Sequence, residues 1–106
     1  MFNTRILVPE TAKAGESVEI RVMIMHPMDT GFTFTTQGER IPVDIITDFT
    51  CTYLDEEVVH IRLAPGLSAN PLFSFRLRAE RTGTVAFRWV DQHGAVTTDD
   101  ATLTVT

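Results

Sequence analysis

Apolar and polar side chains alternate with a period of two along most of this chain. From Ser17 to Met25 the residues Val18, Ile20, Val22 and Ile24 fall on one side, the pattern of a half-buried strand rather than a helix. Arg5 to Val8 predicts a short first strand. In Ile45 to Leu54, the residues Ile45, Phe49, Cys51 and Tyr53 share a side. Val58 to Leu63 turns Val59, Ile61 and Leu63 inward, and Leu72 to Ala79 does the same with Phe73, Phe75 and Leu77. Thr84 to Val90 buries Val85, Phe87 and Trp89, and Ala95 to Val105 ends the chain with Leu103 and Val105 inward. About seven short strands with no helical stretch predict an all-β, immunoglobulin-like antiparallel β-sandwich.

The turn residues support this division. Gly15 precedes the second strand, Leu54-Asp55-Glu56-Glu57 reads as a tight hairpin, Arg81-Thr82-Gly83 supplies a glycine, and Asp91-Gln92-His93-Gly94 joins the last two strands. The hairpin at Asp55 and the crossover from Ala64 to Asn70 fit an order in which the fourth strand stays beside the third and the fifth returns to the other sheet. One connection is too long for a minimal sandwich. From His26 to about Pro42 it holds Pro27, Gly31, Gly38 and Pro42, together with Phe32 and Phe34, which water does not favour.

Length and composition narrow the function. A chain of 106 residues is expected to form a single domain, residues 1–106, with no second domain to close an active-site cleft. Nine basic against 14 acidic residues leave a net charge of −5 without a long basic cluster, which argues against nucleic acid and anionic membrane as partners. No run approaches the roughly 18 apolar residues of a transmembrane helix, and Met1 to Glu10 lacks the basic start and apolar core of a signal peptide. A single cysteine, Cys51, excludes an internal disulfide.

The stretch VMIMHPMDTG, residues 22–31, invites a chemical reading. Met23, Met25, His26 and Met28 are soft or borderline ligands within six positions, and thioethers with imidazole suit Cu(I). A periplasmic Cu(I)-binding immunoglobulin-like protein is therefore the alternative function. The competing reading has the methionines filling a deformable apolar surface, with Met23 and Met25 on the strand face opposite Val22 and Ile24. Cys51 alternates with Phe49 and Tyr53 and reads as a buried, inert thiol. His60 lies on a polar strand face and His93 at a hairpin tip, and Asp99-Asp100, Asp55-Glu56-Glu57 and Asp44 with Asp48 show no ligand spacing. No base stands with a nucleophile, so no catalytic residue, cofactor or metal site is assigned, and the chain reads as a binding module rather than an enzyme. Two segments, His26 to Gly31 and Ser68 to Leu72, combine Pro, Gly or Asn with apolar groups and can present a rigid patch. Asn70-Pro71 also has a plain structural reading as a strand start.

Four stretches carry a resemblance: HPMDTG after the second strand, FTCTY at Phe49 to Tyr53, SANP at Ser68 to Pro71, and TGTVAFRWVDQHGAV from Thr82 to Val96. In this order and spacing, over essentially the whole chain, the sequence resembles the SoxZ family, the small subunits of the SoxYZ carrier in the bacterial sulfur-oxidising (Sox) pathway. Two stretches depart from the family's usual pattern. Leu72 stands where an aromatic follows SANP, and FTFTTQGER stands where the loop is polar or basic.

The resemblance implies a non-catalytic immunoglobulin-like subunit that forms a heterodimer with SoxY, whose C-terminal cysteine carries thiosulfate-derived sulfur while other Sox enzymes act on it in turn. It also implies a periplasmic location reached by export with a signal-bearing SoxY partner. Such a permanent pair is expected to bury upward of ~1,500 Å² around an apolar centre. The candidate partner interface is Met23, Met25, His26, Pro27, Met28, Phe32, Phe34, Ser68, Asn70, Pro71 and Leu72, residues that the core pattern leaves unclaimed. An isolated chain can form a homodimer through the same vacant surface.

Overall fold

The computed structural model describes residues 3–26, 28, 35–39, 45–63 and 69–106. Eight strands follow in chain order: β1 (Thr4–Leu7), β2 (Thr11–Ala12), β3 (Ser17–Ile24), β4 (Ile46–Tyr53), β5 (Glu56–Arg62), β6 (Leu72–Arg78), β7 (Gly83–Asp91) and β8 (Val96–Val105). They form a three-stranded sheet in the order β1-β3-β6 and a five-stranded sheet in the order β2-β8-β7-β4-β5. The expected topology holds: β5 stays beside β4, and β6 crosses to the other sheet. The strand missing from the sequence reading is β2, two residues that pair parallel with the end of β8. A two-residue strand has too few positions to show alternation.

The inner faces of the two sheets meet in one apolar core. Ile20, Val22 and Ile24 come from β3, Phe49, Cys51 and Tyr53 from β4, and Val85, Phe87 and Trp89 from β7. Phe49 is the hub, with ring centroids 5.3 Å from Trp89 in its own sheet and 5.4 Å from Phe73 in the opposite one. Each large side chain removed from water here contributes about 1.5–3 kcal/mol, and with no disulfide these contacts hold the sandwich. Trp89 is fully buried, and its indole N–H finds no acceptor among the described residues.

Strict alternation fails at two places. Ile45 and Ile46 are both buried, because the β4–β7 register slips between Ile46 and Asp48. A second irregularity between Cys51 and Thr52 sets Val58 and Val59 against the same stretch of β4 and leaves Val58 exposed. Bulges of this kind bend and twist a strand. The β4–β5 hairpin is tighter than its four-residue reading: Leu54 and Asp55 form a two-residue loop, at φ 55° and 62°. Two central residues with positive φ are the mark of a type I′ turn, whose twist matches that of the strands it joins.

Side-chain hydrogen bonds fix the remaining turns. The Tyr53 hydroxyl donates to the Arg81 carbonyl and accepts the Glu80 and Arg81 N–H groups, both at 3.2 Å, pinning the link between β6 and β7. The Asp91 carboxylate accepts the His93 and Ala95 N–H groups at 2.8 and 2.9 Å, and Gly94 sits at φ 82°. The VDQHGAV segment is therefore a self-supporting turn. Asp99, one of an acidic pair in the sequence, points inward and accepts the Thr4 hydroxyl at 2.6 Å, tying β8 to β1 across the sandwich.

Candidate functional site

The candidate interface residues divide into three groups. Pro27, Phe32, Phe34 and Ser68 lie outside the described residues. His26, Met28 and Pro71 are inside the fold, with His26 at 1% exposure and Met28 at 4%. This corrects the expectation that they form outer surface. Met23, Met25, Asn70 and Leu72 retain at least partial solvent contact.

The buried group has a structural explanation. Past Ile24 the chain leaves β3 and folds back, with Met28 at φ 52°. The Met28 N–H donates to His26 Nδ1 at 2.9 Å, which places the proton of a neutral ring on Nε2. The Met28 thioether then accepts the Ile46 N–H at 3.3 Å. Sulfur is a weak acceptor, but it supplies a partner to a donor at the start of β4 that water does not reach. The SANP stretch closes on the same knot. Asn70, at φ 53°, donates its N–H to the His26 carbonyl at 2.7 Å, and the Pro71 carbonyl accepts from the Ile24 N–H at 3.4 Å. His26 and Met28 of one motif stretch and Asn70 and Pro71 of another thus form one interlocked plug at an end of the sandwich.

The same geometry disperses the copper ligand set. Met23 projects from the outer face of the three-stranded sheet, whereas His26 and Met28 lie within the core and spend Nδ1 and the thioether on backbone N–H groups. Met23 thus stands apart from His26 and Met28, and the four-residue Cu(I) set does not assemble as a unit. Among the described residues no three His, Cys, Asp or Glu side chains gather into a metal-binding group. His60 Nε2 lies 3.1 Å from Asp48 Oδ1 on the exposed outer face of β4 and β5, a contact that holds the Asp48 carboxyl below its ordinary range. Cys51 is fully buried, and loss of solvation pushes its thiol up to about 12. A thiol held neutral at physiological pH is a poor nucleophile.

Of the candidate residues, Met23 and Leu72 lie on the outer face of the three-stranded sheet. The register sets Arg5, Met23 and Leu72 in one row across β1, β3 and β6, with Leu7, Arg21 and Ser74 in the next. Leu7 and Leu72 are 63% and 62% exposed, the most exposed large apolar side chains among the described residues. Together with Arg5, Ile6, Arg21 and Met23 they line an open hollow of about 160 Å³. Leu72 and Met23 were legible as unclaimed apolar residues. Leu7 and the arginines were missed, although Leu7 stands out of phase with Ile6 and Val8 in its own short strand.

Comparison with solved structures returns the same sandwich. A variant of the superoxide reductase (neelaredoxin) from Ignicoccus hospitalis superposes with a TM-score of 0.76 at 17% identity, covering 97% of this chain and 79% of that one. The sulfur carrier protein SoxY from Chlorobium limicola f. thiosulfatophilum gives 0.69 at 18% identity, covering 97% and 78%. A variant of the superoxide reductase (neelaredoxin) from Archaeoglobus fulgidus, in the reduced form, gives 0.62 at 18%, covering 97% and 86%. At these identities the likeness is one of fold. No curated protein matches the sequence. The family model of the sulphur oxidation protein SoxZ matches residues 5–102, nearly the whole chain and all four motif stretches, and the chain accordingly belongs to the SoxZ family, with its role in Sox sulfur oxidation.

Proposed function

We propose that this chain is the non-catalytic subunit of a periplasmic sulfur carrier heterodimer. It scaffolds a SoxY-like partner, whose C-terminal cysteine bears the thiosulfate-derived intermediates, and through the pair it meets other Sox enzymes transiently. The observation that carries this reading is the family match over residues 5–102. Membership explains why the chain's own chemistry is withdrawn from solvent: the one thiol is buried in an apolar core, and the imidazole of the HPM stretch is spent on a turn. A subunit that holds no cargo needs a rigid sandwich and a face to present, and the exposed apolar pair Leu7 and Leu72 fits that requirement. Export together with a signal-bearing partner follows from the same reading.

Co-expression with a SoxY-like chain from the same organism, followed by size-exclusion chromatography, tests the pairing. The expected result is one peak at the mass of a heterodimer, stable at micromolar concentration. Two independent peaks would refute it. Cell fractionation with and without the partner tests the export route, and a chain that reaches the periplasm equally well alone removes that part.

A further inference from the structure

The two outer faces of the sandwich differ in kind. On the five-stranded sheet, the outward positions of β7 and β8 include Thr84, Ala86, Arg88, Thr98, Asp100, Thr102 and Thr104, with the Val90–Val96 pair at one end, and those of β4 and β5 include Asp48, Thr50, His60 and Arg62. That face is hydroxyl-rich and of mixed charge. The three-stranded sheet turns outward Arg5, Arg21, Arg76 and Arg78, four of the chain's nine basic residues, against Glu19. Glu19 is already engaged, accepting a hydrogen bond from Arg21. In a chain of net charge −5 this is a local reversal of sign, and the hollow bounded by Leu7, Met23 and Leu72 lies at one end of it.

Size and charge together define what fits. A cavity of ~150 Å³ with aliphatic and aromatic walls takes up benzene. A hollow of about 160 Å³ therefore holds one aromatic or branched aliphatic side chain. Fully desolvated anchors of this kind carry most of the energy of an interface, and the surrounding charges set the approach rate and the register. Carboxylates flanking the incoming side chain would meet Arg5 and Arg21 at the rim and Arg76 and Arg78 farther along β3 and β6.

We infer that the outer face of the three-stranded sheet is the anchor of the heterodimer, receiving from the SoxY-like subunit one apolar side chain in the Leu7–Met23–Leu72 hollow and acidic residues against Arg5, Arg21, Arg76 and Arg78. The inference rests on the pairing proposed above and adds the face and the chemistry of the partner surface.

The test uses the complete chain and its SoxY-like subunit, with dissociation constants and association rates measured by surface plasmon resonance. Leu72→Asp, at an exposed position, weakens binding by about 30-fold, the loss typical of a single anchor residue. The double charge reversal Arg5→Glu with Arg21→Glu slows association roughly tenfold and flattens its dependence on salt. Arg88→Glu, on the opposite face, leaves both values within twofold of wild type. Circular dichroism and melting curves confirm that each variant is folded, and Leu7→Asp serves as the second anchor variant should Leu72→Asp fail that check. If wild type binds while either the anchor variant or the charge reversal stays within twofold of it, the assigned face is overturned and the heterodimer stands. If wild type itself does not bind, the pairing falls and this inference with it.

Discussion

The turn between β6 and β7 depends on one hydroxyl, and removing it gives a test with a calculable result. Tyr53 is buried at the end of β4, and its hydroxyl serves the carbonyl of Arg81 and the N–H groups of Glu80 and Arg81. Tyr53→Phe leaves the ring packing intact and deletes all three contacts. A net intramolecular hydrogen bond contributes about 0.5–1.5 kcal/mol, so full additivity would give up to ~4.5 kcal/mol. The real cost is lower, because the two N–H groups share one acceptor at 3.2 Å and because Glu80 and Arg81 are exposed enough for water to take over part of the bonding. We expect a loss of about 2 kcal/mol, which lowers Tm by roughly 8 °C in a domain of this size. Urea unfolding followed by the fluorescence of Trp89, the chain's only tryptophan, measures it with an unchanged m value. A loss below about 0.5 kcal/mol would show that water substitutes fully for the hydroxyl and would refute the pinned-turn argument.

Other positions carry their own expectations. Because the folded Cys51 thiol keeps its proton to about 12 against 9.0 unperturbed, its contribution to stability is whole below pH 9 and declines as pH rises toward 12, by roughly 1.4 kcal/mol per pH unit. Urea midpoints of wild type and Cys51→Ala from pH 8 to pH 11 isolate that slope, and parallel curves would contradict it. At neutral pH a thiol reagent labels Cys51 only once denaturant is added, and fast labelling of the native chain would count against a buried thiol. Met28→Leu keeps the volume of the plug but strands the Ile46 N–H, and is expected to cost about 1–2 kcal/mol in the same urea assay; an unchanged midpoint would remove the thioether hydrogen bond from the account. Asp55→Gly relieves a positive φ at an exposed turn position and raises stability by about 0.5–1 kcal/mol, so a lowered Tm would mean that the aspartate makes a contact that the turn geometry does not reveal.

How far the sequence was legible varies along the chain. The alternation in Val18 to Ile24 and Val85 to Trp89 corresponds residue for residue to the inner faces of β3 and β7. It faltered at Ile46, where a register slip buries two neighbours in succession, and at β2, which is too short to alternate. Among the site residues, Met23 and Leu72 stand outside as expected, because each belongs to a strand whose parity is set by its neighbours. His26, Met28 and Pro71 lie beyond strand ends, where a positive φ or a proline resets the direction of the chain, and the plug they form is closed by partners 18 to 47 positions away.

By itself the sequence determined seven of the eight strands, most of their inner faces, and the family. Each of these follows from local periodicity or from motif order, which the chain carries in one dimension. Only the tertiary structure decided that His26 and Met28 are buried beside Asn70 and Pro71, and that Arg5, Leu7, Met23 and Leu72 share one hollow. The physical reason is register: β1 and β6 are brought to either side of β3 by hydrogen-bond ladders joining residues up to about 60 positions apart, and alternation within a strand does not state which strand lies beside it.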